Sequence, residues 1–237
     1  VRSRGLGDVY KRQIWEKGAM FRFFQVNRDI FLRTLCLVAV TLFFTSAGAS
    51  PGEIILAVNT LLMQLFTLFS YVMDGFAYAG EALSGRYIGA RNREAFTDTV
   101  RHLFGWGAVI AVLFTLVYAL GGNAFLGLLT DDKEVIAVAD TYFYWALAVP
   151  AVGIAAFIWD GIFIGATATR GMLLSMAAAA VSFFILYYGL HPVLANHALW
   201  LAFLTYLLMR GVVQTGLSRE VIRRAFPSKK EPAWREG

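Results

Sequence analysis

Two aspartates, Asp74 and Asp160, stand in long apolar runs, YVMDGFAY and FIWDGIFI. Each follows an aromatic residue or Met and precedes Gly and a further apolar run. An ionisable group at membrane depth costs roughly 2.5–3.5 kcal/mol, so it marks a functional candidate. A carboxylate is suited to the task. Burial favours its neutral form and a nearby cation its charged form, so it can load and release H+ or Na+. The alternative is an aspartate hydrogen-bonded to the backbone or a Thr of a neighbouring helix. Around Asp74 the polar residues are periodic: Thr67, Asp74 and Glu81 are seven apart and share a helical face. Ser70, Tyr71 and Tyr78 flank that stripe, and Asn59 lies within about 60° of Asp74. Such a stripe must face other helices or a water-filled cavity rather than lipid. Glu81 is nearer the interface, where Arg86 is placed to neutralise it. No metal cluster is expected, because His102, His191 and His197 have no ligand spacing and Cys36 is the lone cysteine. HExxH and P-loop patterns are absent from the sequence and no Ser/His/Asp set stands in a plausible context, so nothing points to an enzyme.

The elements that carry these residues follow from composition. The 237 residues are 58% hydrophobic and 16% charged. That is far below the charge of a soluble domain. Six apolar segments, at 30–47, 54–83, 103–120, 141–165, 172–190 and 198–217, are long enough to cross ~30 Å of hydrocarbon as helices. The prediction is an all-α polytopic membrane protein. If the second span runs from 54 to 85, Asp74 lies ~7 Å to the cytoplasmic side of its middle. In the fourth span Pro150 removes a backbone donor and invites a kink. Asp160 follows ~15 Å further along. The segment LRTLCLVAVTLFFTSAGAS also has a signal-peptide pattern, but five further spans follow it. Small residues four apart (Gly75/Ala79, Gly85/Gly89, Gly161/Gly165 and the run 177–180) predict close helix packing.

Every Lys and Arg after residue 13 except Lys133 falls in or beside alternate connections or at the two ends of the six-span region. The excess predicts a multi-pass protein of the cell (plasma or inner) membrane with both termini cytoplasmic. It also accounts for the net charge of +5 without nucleic acid. The connection 121–140 is long, and Thr130 followed by acidic residues predicts a short external helix there. Residues 1–13, VRSRGLGDVYKRQ, contain no initiator Met and resemble the translated end of a transposon used to fragment DNA for sequencing. They are read as a scar, with segments upstream of Ile14 expected to be missing. Residues 14–29 are read as a cytoplasmic linker. Residues 218–237 are read as a basic tail that starts helical, ends disordered and meets anionic lipid headgroups.

NRDIFLRTL at 27–35, LAVNTLLMQLFTLFSYVMDGFAYAGEALSGRYIGARN at 56–92 and WDGIFIGATATRGM at 159–172 together resemble the C-terminal half of MATE (multidrug and toxin extrusion) transporters, nearest their DinF-like branch. The resemblance implies twelve helices in two lobes around a central cavity, with this chain supplying helices 7–12. It implies export of small cationic or amphipathic compounds, coupled to H+ or Na+ entry, with a missing N-terminal lobe and membrane lipids as partners and no cofactor. That branch's best-known coupling aspartate belongs to the other lobe, so it has no counterpart here. The coupling or cavity candidates of this chain are Asp74, Asp160, Asn59, Glu81, Thr67, Tyr71 and Tyr78. A lipid-linked oligosaccharide or lipid flippase, with Arg170 as its phosphate contact, and a non-transporting membrane scaffold are the alternatives.

Overall fold

The computed structural model describes residues 17–227. The expected scar at 1–13 and the end of the tail lie outside the described residues. Six helices fill the rest: α1 Lys17–Ala49, α2 Glu53–Gly89, α3 Arg93–Leu129, α4 Lys133–Gly165, α5 Thr169–Leu194 and α6 Asn196–Ala225. All six are long and apolar enough to cross a membrane. They run 26 to 37 residues, or roughly 40–55 Å at 1.5 Å per residue. Each therefore outreaches the bilayer core and is longer than the apolar run that nucleates it. The hydropathy signal marks only the buried length, while helical hydrogen bonding continues through the polar flanks. Thus α1 takes in most of the expected linker and α6 the first part of the expected tail.

The long external connection is not found. Helix α3 continues to Leu129 through a break at Gly122, whose φ of 24° and ψ of −115° are outside the helical region. Only residues 130–132 remain between α3 and α4. Asp132, not Thr130, caps α4, its carboxylate accepting from the Glu134 and Val135 amides. Thr130 instead accepts from the Asp132 amide. The acidic cluster that suggested a separate helix is the first turn of α4 itself. Pro150 lies buried inside α4, which is helical on both sides of it.

α4 and α6 are the most enclosed helices and α1 the least. α4 packs on α2, α3, α5 and α6, and α1 rests mainly on α5. Gly161 and Gly165 set the closest approach. A Cβ on Gly161 would lie 2.0 Å from the Ala77 carbonyl oxygen, and one on Gly165 would lie 2.4 Å from that of Glu81. Only glycine lets α4 approach α2 so closely. Gly211 of α6 plays the same part against Ala155 and Ala156 of α4. Of the predicted small-residue pairs, Gly75 and Gly89 face open space instead. At one end of the bundle Phe43 and Phe44 of α1 meet Phe183, Phe184, Tyr187 and Trp200 edge-on, and Phe44 meets Phe203 at a tilt. This cluster anchors the otherwise exposed first helix.

Candidate functional site: two carboxylates on facing helices

Asp160 projects from α4 beside Gly161, so the close approach of α2 and α6 seals it in. Its Oδ2 accepts from Arg33 of α1 at 2.5 Å and from Arg210 of α6 at 2.6 Å. Its Oδ1 accepts from the Gln214 amide at 2.5 Å. Arg210 and Gln214 are four apart on α6 and therefore share a face. Asp160, Arg210 and Gln214 are buried, and Arg33 keeps 21% of its side chain exposed. The Arg210 guanidinium also lies over the rings of Phe157 and Tyr206, 5.9 and 5.5 Å from their centroids. Contacts of this kind favour a cation in an apolar setting. One residue before Asp160, the Trp159 indole donates to Thr215 at 2.8 Å, a further tie between α4 and α6. Three helices thus converge on a single carboxylate.

Asp74 is the counterpart on α2, one turn before the Ala77 carbonyl that Gly161 touches. It is half-buried. No hydrogen bond or ion pair engages its oxygens among the described residues. Tyr71 and Tyr78, three residues before and four after, are each 71% exposed. Gln64 is exposed, and Thr67 and Glu81 are half-buried. Thr67 donates to its own helix at the Met63 carbonyl, and Ser70 to the Thr67 carbonyl. Hydroxyls can satisfy themselves in this way without leaving the helix. The stripe therefore keeps two carboxylates, Asp74 and Glu81, without hydrogen-bond or ion-pair partners among the described residues, beside two exposed tyrosines. Glu81 makes no ion pair with Arg86, whose guanidinium lies over Tyr87 instead.

Asn59 is placed differently. It exchanges amide hydrogen bonds with Asn196 at 2.8 and 3.0 Å and accepts from the Trp200 indole at 2.8 Å. That closed knot joins α2 to the start of α6 in the other half of the helix, away from Asp74. Gly48 of α1 leaves room for it, since a Cβ there would sit 2.8 Å from Asn59 Nδ2. Arg170 is exposed near the start of α5.

Sequence reasoning missed Arg33, Arg210, Gln214, Asn196 and Asp29. Arg33 and Arg210 were counted as flanking charges that set orientation, although both point into the lobe. Arg210 had a signal: it lies inside the expected sixth span, where the rule that singled out Asp74 applies equally. Asp29 is only 2% exposed, and it holds Arg28 at 3.3 Å while accepting from Thr169 at 3.5 Å. Thr169 is the first residue of α5, so the carboxylate sits against that helix's positive end.

The MatE family model matches residues 30–193, a stretch that includes Arg33, Asn59, Asp74 and Asp160. The chain belongs to the MatE family. It is 40% identical over 212 residues to DNA damage-inducible protein F of Escherichia coli (strain K12), covering 90% of this chain and 46% of that protein. It is 25% identical over 133 residues to Protein DETOXIFICATION 45, chloroplastic, of Arabidopsis thaliana, over 56% of this chain and 24% of that one. A crystal structure of a MATE in the bent conformation superposes with a TM-score of 0.69 at 17% identity, over 89% of this chain and 46% of that one. The chain thus spans about half the length of the relatives that match most of it. With family and helices agreeing, this is one six-helix lobe of a MATE fold in a multi-pass membrane protein.

Proposed function

We propose that this MatE chain is the C-terminal lobe (helices 7–12) of a secondary active exporter, not an enzyme. The exporter moves small cationic or amphipathic compounds against entry of H+ or Na+. The observation that carries the reading is the half-buried Asp74, without a bonding partner, between two exposed tyrosines on the open face of α2. A carboxylate beside aromatic faces suits an organic cation, and the same oxygens suit a proton or sodium ion. Thr67 and Glu81 lie on that face too. Substrate competes there with the coupling ion, so that loading one releases the other. A matching N-terminal lobe would close the face, and lipid would surround the rest. The name of the Arabidopsis relative, DETOXIFICATION 45, is in keeping with export. The flippase reading lacks a comparable feature: Arg170 is a single exposed cation, whereas holding phosphates calls for several. The excess of basic residues on one side supports an inner-membrane placement with both ends of the chain cytoplasmic.

The test is efflux of a cationic dye from cells making the complete protein that contains this chain. Asp74→Asn is expected to abolish accumulation resistance while the protein remains in the membrane at its normal level. Unchanged efflux would remove Asp74 from the mechanism.

A further inference from the structure

The two Asp-Gly sites read alike in the sequence and are unlike in the folded lobe. Asp160 Oδ2 faces two guanidinium groups, one for each lone pair, and Oδ1 faces an amide. A sodium ion at Oδ2 would sit against both arginines and be repelled by each. Among the described residues, Gln214 Oε1 is the buried acceptor there left without a protein partner, and one amide oxygen does not make a cation site. The Nε atoms of Arg33 and Arg210 are likewise buried without protein partners, so the surroundings of Asp160 are donor-rich throughout. Asp74 has the opposite setting. It is half-open, and no donor among the described residues engages it.

We propose that Arg33 and Arg210 occupy at Asp160 the place a coupling ion would take. Asp160 is then a fixed strut joining α1, α4 and α6, and Asp74 is the carboxylate of this lobe that exchanges ions. This rests on the export reading for its purpose but not for its test.

The complete protein containing this chain, purified in detergent, is compared as wild type, Asp160→Asn, Asp160→Asn/Arg33→Gln and Asp74→Asn. Two quantities are read: the melting temperature, and the change of tryptophan fluorescence on titrating Na+ and, separately, pH. Asp160→Asn is expected to lower the melting temperature by several degrees, because the buried Arg210 and the half-buried Arg33 lose their counter-charge. Removing Arg33 as well is expected to recover part of that loss, Arg210 remaining buried, with an ion response kept. Asp74→Asn is expected to melt like wild type and to lose the ion response by about tenfold in its midpoint, or entirely. The proposal is overturned if Asp160→Asn melts normally. It is overturned as well if the double variant loses the ion response, if Asp74→Asn keeps it, or if wild type has none. A wild type that responds to the ion through Asp74 yet moves no dye in liposomes would sink the export reading and leave this one standing.

Discussion

Asp74 and Asp160 occupy matching places on two helices that touch, and nothing in the residues beside them tells them apart. Their difference is made by what the other helices bring. α4 runs through the middle of the lobe, so α1 and α6 both reach Asp160 and place three donors on it. α2 has one face turned away from the lobe, and Asp74 lies at its margin with exposed tyrosines on either side. A buried carboxylate at a crossing of helices becomes a structural joint. The same group at the edge of a lobe keeps its oxygens unbonded. Position in the bundle decides which carboxylate is bonded and which is left open.

The comparison is broken most severely by removing a partner from the joint. Arg210→Met leaves Gln214 and Arg33 to hold Asp160, and a buried pair deprived of one member loses about 3–5 kcal/mol. Unfolding by denaturant in detergent is expected to show a loss on that scale. Next come the glycines that make the joint's geometry. Gly161→Ala puts a methyl group into the Ala77 carbonyl and is expected to cost about 3 kcal/mol, since backbone must move to admit it. Gly75→Ala, where the space is open, is expected to stay within about 0.5 kcal/mol of wild type. Parallel melting curves of the two variants check this pair. A smaller loss, about 1–2 kcal/mol, is expected for Asn59→Ala, which breaks the knot to Asn196 and Trp200. Its efflux, measured per folded protein, should be unchanged if the knot is structural. The smallest effect on stability sharpens the comparison most. Tyr78→Ala is expected to leave the melting temperature where it is, because the ring is mostly exposed, and to weaken binding of a cationic dye severalfold through a lost cation–π contact of about 1 kcal/mol. Equilibrium dye binding to the purified complete protein reads it directly.

Much of the architecture was legible because the bilayer imposes it. A run of about 20 apolar residues has few options besides a helix, and six such runs appeared as six helices. The glycine pair 161/165 was legible too, because four-residue spacing of small residues puts them on one face. The errors have a common cause. Apolar length says nothing about how far a helix continues into water, so all the spans were drawn short and a three-residue turn was taken for a long connection. Gly75 and Gly89 share the spacing of the packing glycines but face open space, which spacing alone does not reveal. At the candidate site, Asp74 and Asp160 were singled out by the cost of placing charge in lipid. Asn59 was grouped with them by its angle around α2, while its position along the axis puts it near Asn196 instead.

By itself, the sequence determined the helical class, the membrane, the count of spans and the two aspartates, because each of these follows from local composition and from a solvent that accepts few structures. The tertiary structure alone decided that Arg33 and Arg210, 127 and 50 residues away from Asp160, spend their charge on it and leave Asp74 open. Charges so distant in the chain have no local signature, and only the packing of three helices onto one point brings them within bonding distance.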